Sequence, residues 1–237
     1  MSEMPRYELA RAGKAIRRLL KNPDELPQVF EVIEALQGPA LQRMYDRLKA
    51  TEDGRRLLEE EPDIVPLLSD REALRRLPAG SLGRAYLDFV EREGISAEGI
   101  IDASAEGRSV HDDHLNWVRN RLRDTHDLWH AATGYHGDVL GEVSLLAMIL
   151  AQNFQPGVLA MIVAATAKGL VKSDHWLIVD GYVRGRRSAW LPGVRWEALL
   201  DKPLEDVRAL LNVGEPRQYA PVRTDALRAQ GVLPAAA

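Results

Sequence analysis

A run of 25 residues without a charged side chain, Val143 to Ala167, sets the strongest limit on what this chain can fold into. Its length approaches that of a membrane-spanning helix, which needs about 20 apolar residues. However, the segment QNFQPG at 152–157 lies at its centre, where unsatisfied polar groups are most costly in lipid. Each half is too short to span a bilayer alone. The run therefore predicts two buried helices, over 139–154 and 157–172, that form the core of a globular protein.

Apolar residues also recur at helical spacing in most of the remaining chain, including 6–21, 70–77, a segment that opens at Ser81, and a long amphipathic stretch over 112–131. Alternating patterns typical of β-strands are almost absent, and only HWLIVDGYV suggests a strand. We expect an all-α protein with one multi-helix domain. Its expected parts are an N-terminal helical region (1–77), a metal-bearing helical core with two central apolar helices (78–215) and a C-terminal tail (216–237).

Composition excludes several classes of site. The net charge is −4 and no basic and aromatic residues interleave, so nothing favours binding to nucleic acid. The chain has no cysteine, which excludes disulfides, thiolate metal ligands and a cysteine nucleophile. A metal would have to be held by imidazole, carboxylate, carbonyl or water. Charges interrupt the N-terminus before an apolar segment develops, so a secretory signal is not expected, and we expect a bacterial cytoplasmic protein.

Three of the six histidines lie in RLRDTHDLWHAATGYHGDVLGE, residues 121–142. His126 and His130 are four residues apart and therefore share one face of a helix, with Asp127 on its flank. A glycine-containing loop follows, and Asp138 is expected to cap the next helix. Glu142 then lies in the first turns of that helix, which returns across a short hairpin. These residues predict an open-sided site for Zn²⁺ or a harder divalent ion.

Other interpretations of these residues stay open. Histidines four residues apart also occur by chance, and acidic residues at helix N-termini are expected from the helix dipole alone. His136 is either a group behind the ligands or a solvated side chain. His111 or His114, combined with His126-Asp127 and a distant acid such as Asp174, also resembles the HD-type metal-dependent phosphohydrolases.

RDTHDLWH, followed after eleven residues by Glu142, resembles the HDxxH-x11-E motif of the coenzyme Q biosynthesis protein 4 family. The resemblance extends from about residue 25 to residue 215. TEDGRRLL resembles the family's Thr-x-x-Gly-Arg segment, and RWEALLDKPLEDVRALLNV its closing segment. LPAGSLGRAYLDFV resembles a further family stretch, here Pro78, Gly80, Ser81, Gly83, Tyr86 and Phe89. The chain is identified as a bacterial member of this family.

The resemblance implies an all-helical protein of ubiquinone biosynthesis that acts on a polyprenylated aromatic ring. It implies His126, Asp127, His130 and Glu142 as metal ligands, with Zn²⁺ as the expected ion and Mg²⁺, Mn²⁺ or iron as alternatives. The implied reaction is oxidative decarboxylation, in which a hydroxyl group replaces the carboxylate at ring carbon one. The alternative activity is that of a scaffold that binds prenyl lipid and organises the other ubiquinone biosynthesis proteins.

Arg123 and Glu142 are the expected catalytic residues. Arg123 precedes His126 by one helical turn, where its guanidinium would pair with a substrate carboxylate or with an aspartate ligand. A plain ion pair with Asp124 or Asp127 is the alternative for this arginine. The cationic helix at 6–21 either lies on an anionic membrane surface, such as the cytoplasmic face of the inner membrane, or presents a solvated face, which we favour. A homodimer is a further expectation.

Overall fold

The structure is a computed structural model that describes residues 7–104, 113–171 and 174–235, with only the backbone of residue 113. Within these ranges the regular elements are helices, apart from one isolated β-bridge between Ser81 and Pro203. The all-α class is therefore confirmed. The segment HWLIVDGYV, which suggested a strand, lies instead at the start of a helix.

The described helices follow one another with short connections. In chain order they are α1 (Leu9–Leu19), α2 (Leu26–Ala35), α3 (Ala40–Lys49), α4 (Glu52–Glu60), α5 (Val65–Ser69), α6 (Arg71–Arg76), α7 (Leu82–Glu93), α8 (Ala97–Ser104), α9 (Asp113–Asp124), α10 (His126–Thr133), α11 (Val139–Gln152), α12 (Pro156–Lys168), α13 (Trp176–Arg187), α14 (Leu204–Leu211) and α15 (Thr224–Ala229). Two short 3-10 helices, Leu191–Gly193 and Trp196–Leu199, lie between α13 and α14.

The chain groups into two compact units. The first unit comprises Met1–Ala40, Tyr135–Arg186 and Arg217–Ala237, and the second unit comprises Leu41–Gly134 and Arg187–Pro216. The single-domain organisation with internal boundaries after residues 77 and 215 stays a prediction. The segment expected to be a C-terminal tail contains α15 and belongs to the first unit.

In the first unit, α1, α2 and α12 form one apolar core. Ala12 and Ala15 give α1 a flat buried side, and Val32 of α2 and Val158 of α12 are part of the same cluster. The Arg11 guanidinium pairs with the carboxylates of Glu31 and Glu34 on α2. The apolar side of the cationic N-terminal helix is thus buried within its own unit, while Lys14, Arg17 and Arg18 are exposed. The membrane-surface and solvated-face interpretations of this helix both stay predictions.

The charge-free run forms two helices, α11 and α12, as predicted. The intervening polar residues end one helix and begin the next, since the Gln155 side chain accepts a hydrogen bond from the Val158 N–H at 2.7 Å and donates to the Ile33 carbonyl at 2.9 Å. Most of α11 is buried, whereas α12 leaves Leu159 and Val163 exposed. Over the part of the chain that the structure describes, no helix has the length and apolarity needed to cross a bilayer.

The second unit has its own apolar core. Leu41, Met44 and Leu48 of α3 pack with Leu57 of α4 and Val118 of α9. Elsewhere in this unit α10 lies against α7, and both contact α14. The hydroxyl of Ser81 accepts a hydrogen bond from the Arg84 N–H at 3.3 Å and caps α7, in agreement with the helix start expected from the sequence. The second unit also contains α10, the helix with both candidate histidine ligands.

Two glycine substitutions test the packing of the first unit. A Cβ atom at Gly181 of α13 would lie 2.3 Å from the Ser144 carbonyl oxygen of α11, which is backbone and cannot move cheaply. Gly181→Ala should therefore lower the free energy of unfolding by about 1–3 kcal/mol, the usual cost of overpacking. Gly13 lies inside α1, and a Cβ atom added there would meet no atom within 4 Å. Gly13→Ala should therefore raise the free energy of unfolding by about 0.5–1 kcal/mol. Urea unfolding measures both, and a neutral Gly181→Ala would contradict the close α11–α13 contact.

Candidate metal centre

The predicted long helix over 112–131 is two helices, α9 and α10, which meet at Thr125. Thr125 is buried, and its hydroxyl donates to the Arg121 carbonyl at 2.8 Å. A side-chain hydrogen bond to the carbonyl four residues back competes with the helical ladder and commonly bends a helix. His126 consequently begins α10 instead of lying in the middle of a longer helix.

His126 and His130 lie one turn apart on α10, as their spacing predicted. Their Nε2 atoms are 3.2 Å apart, and the two rings meet edge to face with centroids 4.9 Å apart. His130 is 1% exposed, and its ring stacks on that of Phe89 of α7 with an interplanar angle of 12°. Packing against α7 therefore fixes the orientation of His130, and with it the direction of its Nε2 atom.

The separation of the two Nε2 atoms suits a shared metal ion. Two imidazole nitrogens bound to Zn²⁺ at about 2.0–2.1 Å lie about 3.3 Å apart in tetrahedral geometry, and about 2.9 Å apart in octahedral geometry. The observed 3.2 Å falls between these two values. The histidine pair is therefore spaced as two ligands of one divalent ion.

Asp127, predicted as a ligand between the two histidines, lies on another side of α10. The carboxylate oxygens of Asp127 do not lie close to the imidazole nitrogens of both His126 and His130. Its side chain is buried, 5% exposed, in the region of Tyr86 on α7. Burial raises the pKa of the Tyr86 phenol, and the charge of Asp127 raises it further. The ligand role of Asp127 stays a prediction.

Arg123, predicted to be catalytic, pairs within the second unit. Its Nε donates to Asp124 Oδ1 at 2.7 Å and its Nη1 donates to Ser104 Oγ at 2.8 Å. This is the ion pair with Asp124 that the sequence left open as the alternative. Burial raises the pKa of Asp124, while Arg123 opposes that shift. The position of Arg123 favours a role in holding α8 and α9 together.

Arg121, which the sequence analysis did not single out, orients the end of α9. Its Nη1 and Nη2 donate to the two carboxylate oxygens of Glu197 at 2.7 and 2.9 Å, and Nη2 also donates to the Val194 carbonyl. The Arg121 side chain is 4% exposed, so this pair is shielded from water. The partners are 76 residues apart, and no local pattern relates them.

Asp138 caps α11 in the first unit, as predicted. Its buried Oδ1 accepts hydrogen bonds from the backbone N–H groups of Leu140 and Gly141, at 3.0 and 3.3 Å. It also accepts from the Val222 N–H at 2.7 Å, and its Oδ2 accepts from the Tyr219 hydroxyl at 2.8 Å. Glu142 lies in the first turn of the same helix, is half-buried, and donates its backbone N–H to the Asp138 carbonyl.

Tyr219, in the segment expected to be a tail, also contacts the loop that precedes α11. Its hydroxyl accepts from the His136 N–H at 2.9 Å, and the two rings meet edge to face. Burial and the charge of Asp138 raise the pKa of Tyr219, with a smaller contribution from Glu142, so the phenol stays protonated. His136 is therefore a packed loop residue instead of a solvated one.

The remaining histidines do not add to the histidine pair. His111 and Asp112 lie outside the described residues. His114 hydrogen bonds through Nδ1 to Glu61 at 2.9 Å and stacks on Tyr45. His175 is exposed, and the neighbouring Asp174 accepts a hydrogen bond from the Trp176 indole. These contacts give no support to a phosphohydrolase site built on His114.

Comparison with known proteins gives a consistent result. The family model described as Coenzyme Q (ubiquinone) biosynthesis protein Coq4 matches residues 4–217. The mitochondrial ubiquinone biosynthesis protein COQ4 of Paracoccidioides lutzii is 31% identical over 215 residues, which cover 89% of this chain and 74% of the relative. The corresponding protein of Sclerotinia sclerotiorum is 27% identical over 227 residues, covering 93% and 79%.

A similar fold occurs in a crystal structure from Nostoc punctiforme, of a protein assigned only provisionally to ubiquinone biosynthesis. The TM-score is 0.65, and the match covers 89% of this chain and 100% of the other at 24% sequence identity. At this identity the likeness establishes the shared fold alone.

Replacement of the Asp138 cap tests the network at the start of α11. Asp138→Ala leaves three backbone N–H groups and the Tyr219 hydroxyl without their acceptor, so we expect unfolding free energy to fall by more than the ~1 kcal/mol typical of a lost N-cap. Asp70→Ala is the matched control. Asp70 is an exposed cap of α6 and accepts a hydrogen bond from the Ala73 N–H at 2.8 Å. Chemical denaturation compares the two, and equal losses would contradict the central role of Asp138.

Proposed function

The chain belongs to the Coenzyme Q (ubiquinone) biosynthesis protein Coq4 family, and we propose that it carries out a metal-dependent oxidative decarboxylation of a polyprenylated benzoate in that pathway. In this proposal His126, His130 and Glu142 hold one divalent ion, with Zn²⁺ as the first candidate and Mg²⁺, Mn²⁺ or iron as alternatives. The observation that carries the proposal is the 3.2 Å separation of the two Nε2 atoms, within the family's histidine motif.

The donor set fits a catalytic ion. Two neutral imidazoles and one carboxylate leave coordination positions for substrate and water, as in other sites that keep an open side. Glu142 follows His130 by twelve residues, at the start of the next helix, and so supplies the carboxylate of the family motif.

The proposed reaction replaces a ring carboxylate by a hydroxyl group. The bond between the ring carbon and the carboxylate breaks and releases carbon dioxide, while one oxygen atom of dioxygen forms the new hydroxyl. The other oxygen atom leaves as water; an external two-electron reductant supplies two electrons, and three protons are taken up, one by the new hydroxyl and two by the water. A bound divalent ion would supply Lewis acidity for the carboxylate or phenolate oxygen of the substrate and would stabilise the charge that develops on it.

The chain's own residues orient the ligands and keep their surroundings dry. Phe89 covers one face of the His130 ring and excludes water from it. Tyr86 and Trp129 are almost completely buried in the second unit, at 1% and 2% exposure. Burial raises the pKa of the Tyr86 phenol, which therefore stays neutral. These packed side chains fix the histidine pair before an ion or a substrate binds.

Exposed apolar side chains support a role at a membrane surface, where a prenylated substrate resides. In the first unit, α12 exposes Leu159 and Val163, and α13 exposes Trp176, Val179 and Tyr182. Apolar side chains that lie together on a protein surface often contact lipid or another protein. The proposed partners are therefore the prenylated quinone precursor and other proteins of the pathway, with peripheral attachment to the membrane. A homodimer and a cytoplasmic location stay predictions.

Complementation of a strain that lacks this protein tests the proposal. His130→Ala and Glu142→Ala, each shown to be folded by circular dichroism, should lower ubiquinone at least tenfold, because the ion loses a ligand. Lipid mass spectrometry should detect a prenylated intermediate that still carries its ring carboxylate. His175→Ala, which removes an exposed histidine, is the matched control and should restore the quinone fully.

Three other outcomes are informative. Full quinone production by variants that have lost the metal would rule out catalysis at this site. Simultaneous loss of several pathway activities, without accumulation of the carboxylated intermediate, would favour the scaffold role. Loss of quinone in His114→Ala would revive the phosphohydrolase interpretation, which the contact of His114 with Glu61 does not support.

A further inference from the structure

The hydroxyl of Tyr219 joins two segments of the first unit that are 81 to 83 residues apart in sequence. It donates to Asp138 Oδ2 at 2.8 Å and accepts from the His136 N–H at 2.9 Å. Three residues later, Val222 extends the same connection: its N–H donates to Asp138 Oδ1, and its carbonyl accepts from the Val139 N–H at 3.0 Å. We name residues 217–222 the C-terminal strap. The strap thus donates a hydrogen bond to each carboxylate oxygen of Asp138, the cap of α11.

The strap is itself held in place at its beginning. The Arg217 guanidinium binds the Asp180 carboxylate of α13 with two hydrogen bonds of 2.9 Å. Asp180 is mostly buried, with 18% of its side chain exposed. Since a paired guanidinium and carboxylate fix both distance and plane, this contact places Tyr219 two residues further along.

Gly141 shows how little freedom the turn before Glu142 has. A Cβ atom at this position would lie 2.1 Å from the His136 carbonyl oxygen, 2.5 Å from the Tyr219 hydroxyl and 2.9 Å from Asp138 Oδ2. The backbone of residues 136–141 therefore closes tightly around the Tyr219 hydroxyl. Glu142 is the next residue, and its own N–H donates to the Asp138 carbonyl at 2.8 Å.

We infer that Tyr219 is a positioning residue for Glu142: its hydroxyl locks the turn at 136–141 and so fixes the direction in which α11 presents the Glu142 carboxylate. This inference rests on the proposed function, since it assumes that Glu142 is a metal ligand. Groups that orient ligands commonly change metal affinity by about 10–100-fold when they are removed. Tyr219 acts through the backbone of the turn and through Asp138, without itself binding the ion.

Zn²⁺ binding to four variants of the full chain tests this inference. Tyr219→Phe removes the hydroxyl but keeps the ring against His136, and should lower Zn²⁺ affinity at least tenfold. Tyr182→Phe, which removes the hydroxyl of an exposed tyrosine in the same unit, should leave it unchanged. Glu142→Ala should weaken binding further than Tyr219→Phe. In the double variant Tyr219→Phe/Glu142→Ala, the tyrosine substitution should have no additional effect, because its target is gone.

Competition with a chromophoric chelator gives the affinities of the wild-type chain and of the four variants, and circular dichroism verifies folding. Wild-type Zn²⁺ affinity in Tyr219→Phe would overturn the inference. It would also be overturned if Tyr219→Phe lowered the affinity equally in the presence and in the absence of Glu142, because such a loss would reflect general destabilisation. Failure of the wild-type chain to bind Zn²⁺ would overturn the proposed metal site itself.

Asp138→Asn tests the same hydrogen bond from its other end, and carries the test if Tyr219→Phe does not fold. The amide keeps an oxygen that accepts from the backbone N–H groups, whereas its NH₂ group can only donate to the Tyr219 oxygen, which reverses this hydrogen bond and leaves the hydroxyl proton without its acceptor. A tenfold loss of Zn²⁺ affinity that disappears when Glu142 is alanine supports the inference. Unchanged affinity in folded Asp138→Asn contradicts it.

Discussion

The buried carboxylate of Asp138 is the interaction on which the organisation of the first unit depends. It accepts four hydrogen bonds, three from backbone N–H groups and one from Tyr219, while only 3% of the residue is exposed. A buried carboxylate is stable only when such donors replace water. Because the donors come from α11 and from the C-terminal strap, the start of the Glu142 helix cannot form its native contacts unless the end of the chain has folded against it.

The second unit prepares the histidine pair by a different physical means. The Thr125 hydroxyl donates to the Arg121 carbonyl where α9 ends and α10 begins, and the Arg121–Glu197 ion pair holds the end of α9 in place. Phe89 then packs flat on His130. The 3.2 Å approach of the two Nε2 atoms is thus maintained by packing and by a shielded ion pair. A bound ion would meet a largely preorganised pair of ligands.

Local sequence patterns predicted the features that depend on local geometry. The spacing of His126 and His130 placed both on one face, Asp138 before an apolar helix predicted a cap, and QNFQPG predicted the division of the charge-free run. Each of these follows from helical periodicity or from capping chemistry. The family resemblance added ubiquinone biosynthesis as the pathway.

Features that depend on distant partners had no such signal. Tyr219 is 81 residues from Asp138, and Arg121 is 76 residues from Glu197, so neither pair could be predicted from local spacing. The segment HWLIVDGYV suggested a strand, although it lies at the start of α13. Gly181 and Gly185 of α13 lie four residues apart and let α13 approach the backbone of α11 closely. This tertiary contact favours the helix over a strand. The division between α9 and α10 at Thr125 likewise involves a single hydroxyl group inside an otherwise helical pattern.

X-ray absorption spectroscopy of the Zn²⁺-loaded protein tests the central claim most directly, namely that His126 and His130 bind one ion together with Glu142. The account predicts one Zn²⁺ per chain, with two imidazole nitrogens at about 2.0–2.1 Å and at least one oxygen ligand at a similar distance. The scattering of one imidazole should disappear in His126→Ala. A spectrum without imidazole ligands, or the same spectrum in His126→Ala, would contradict the account.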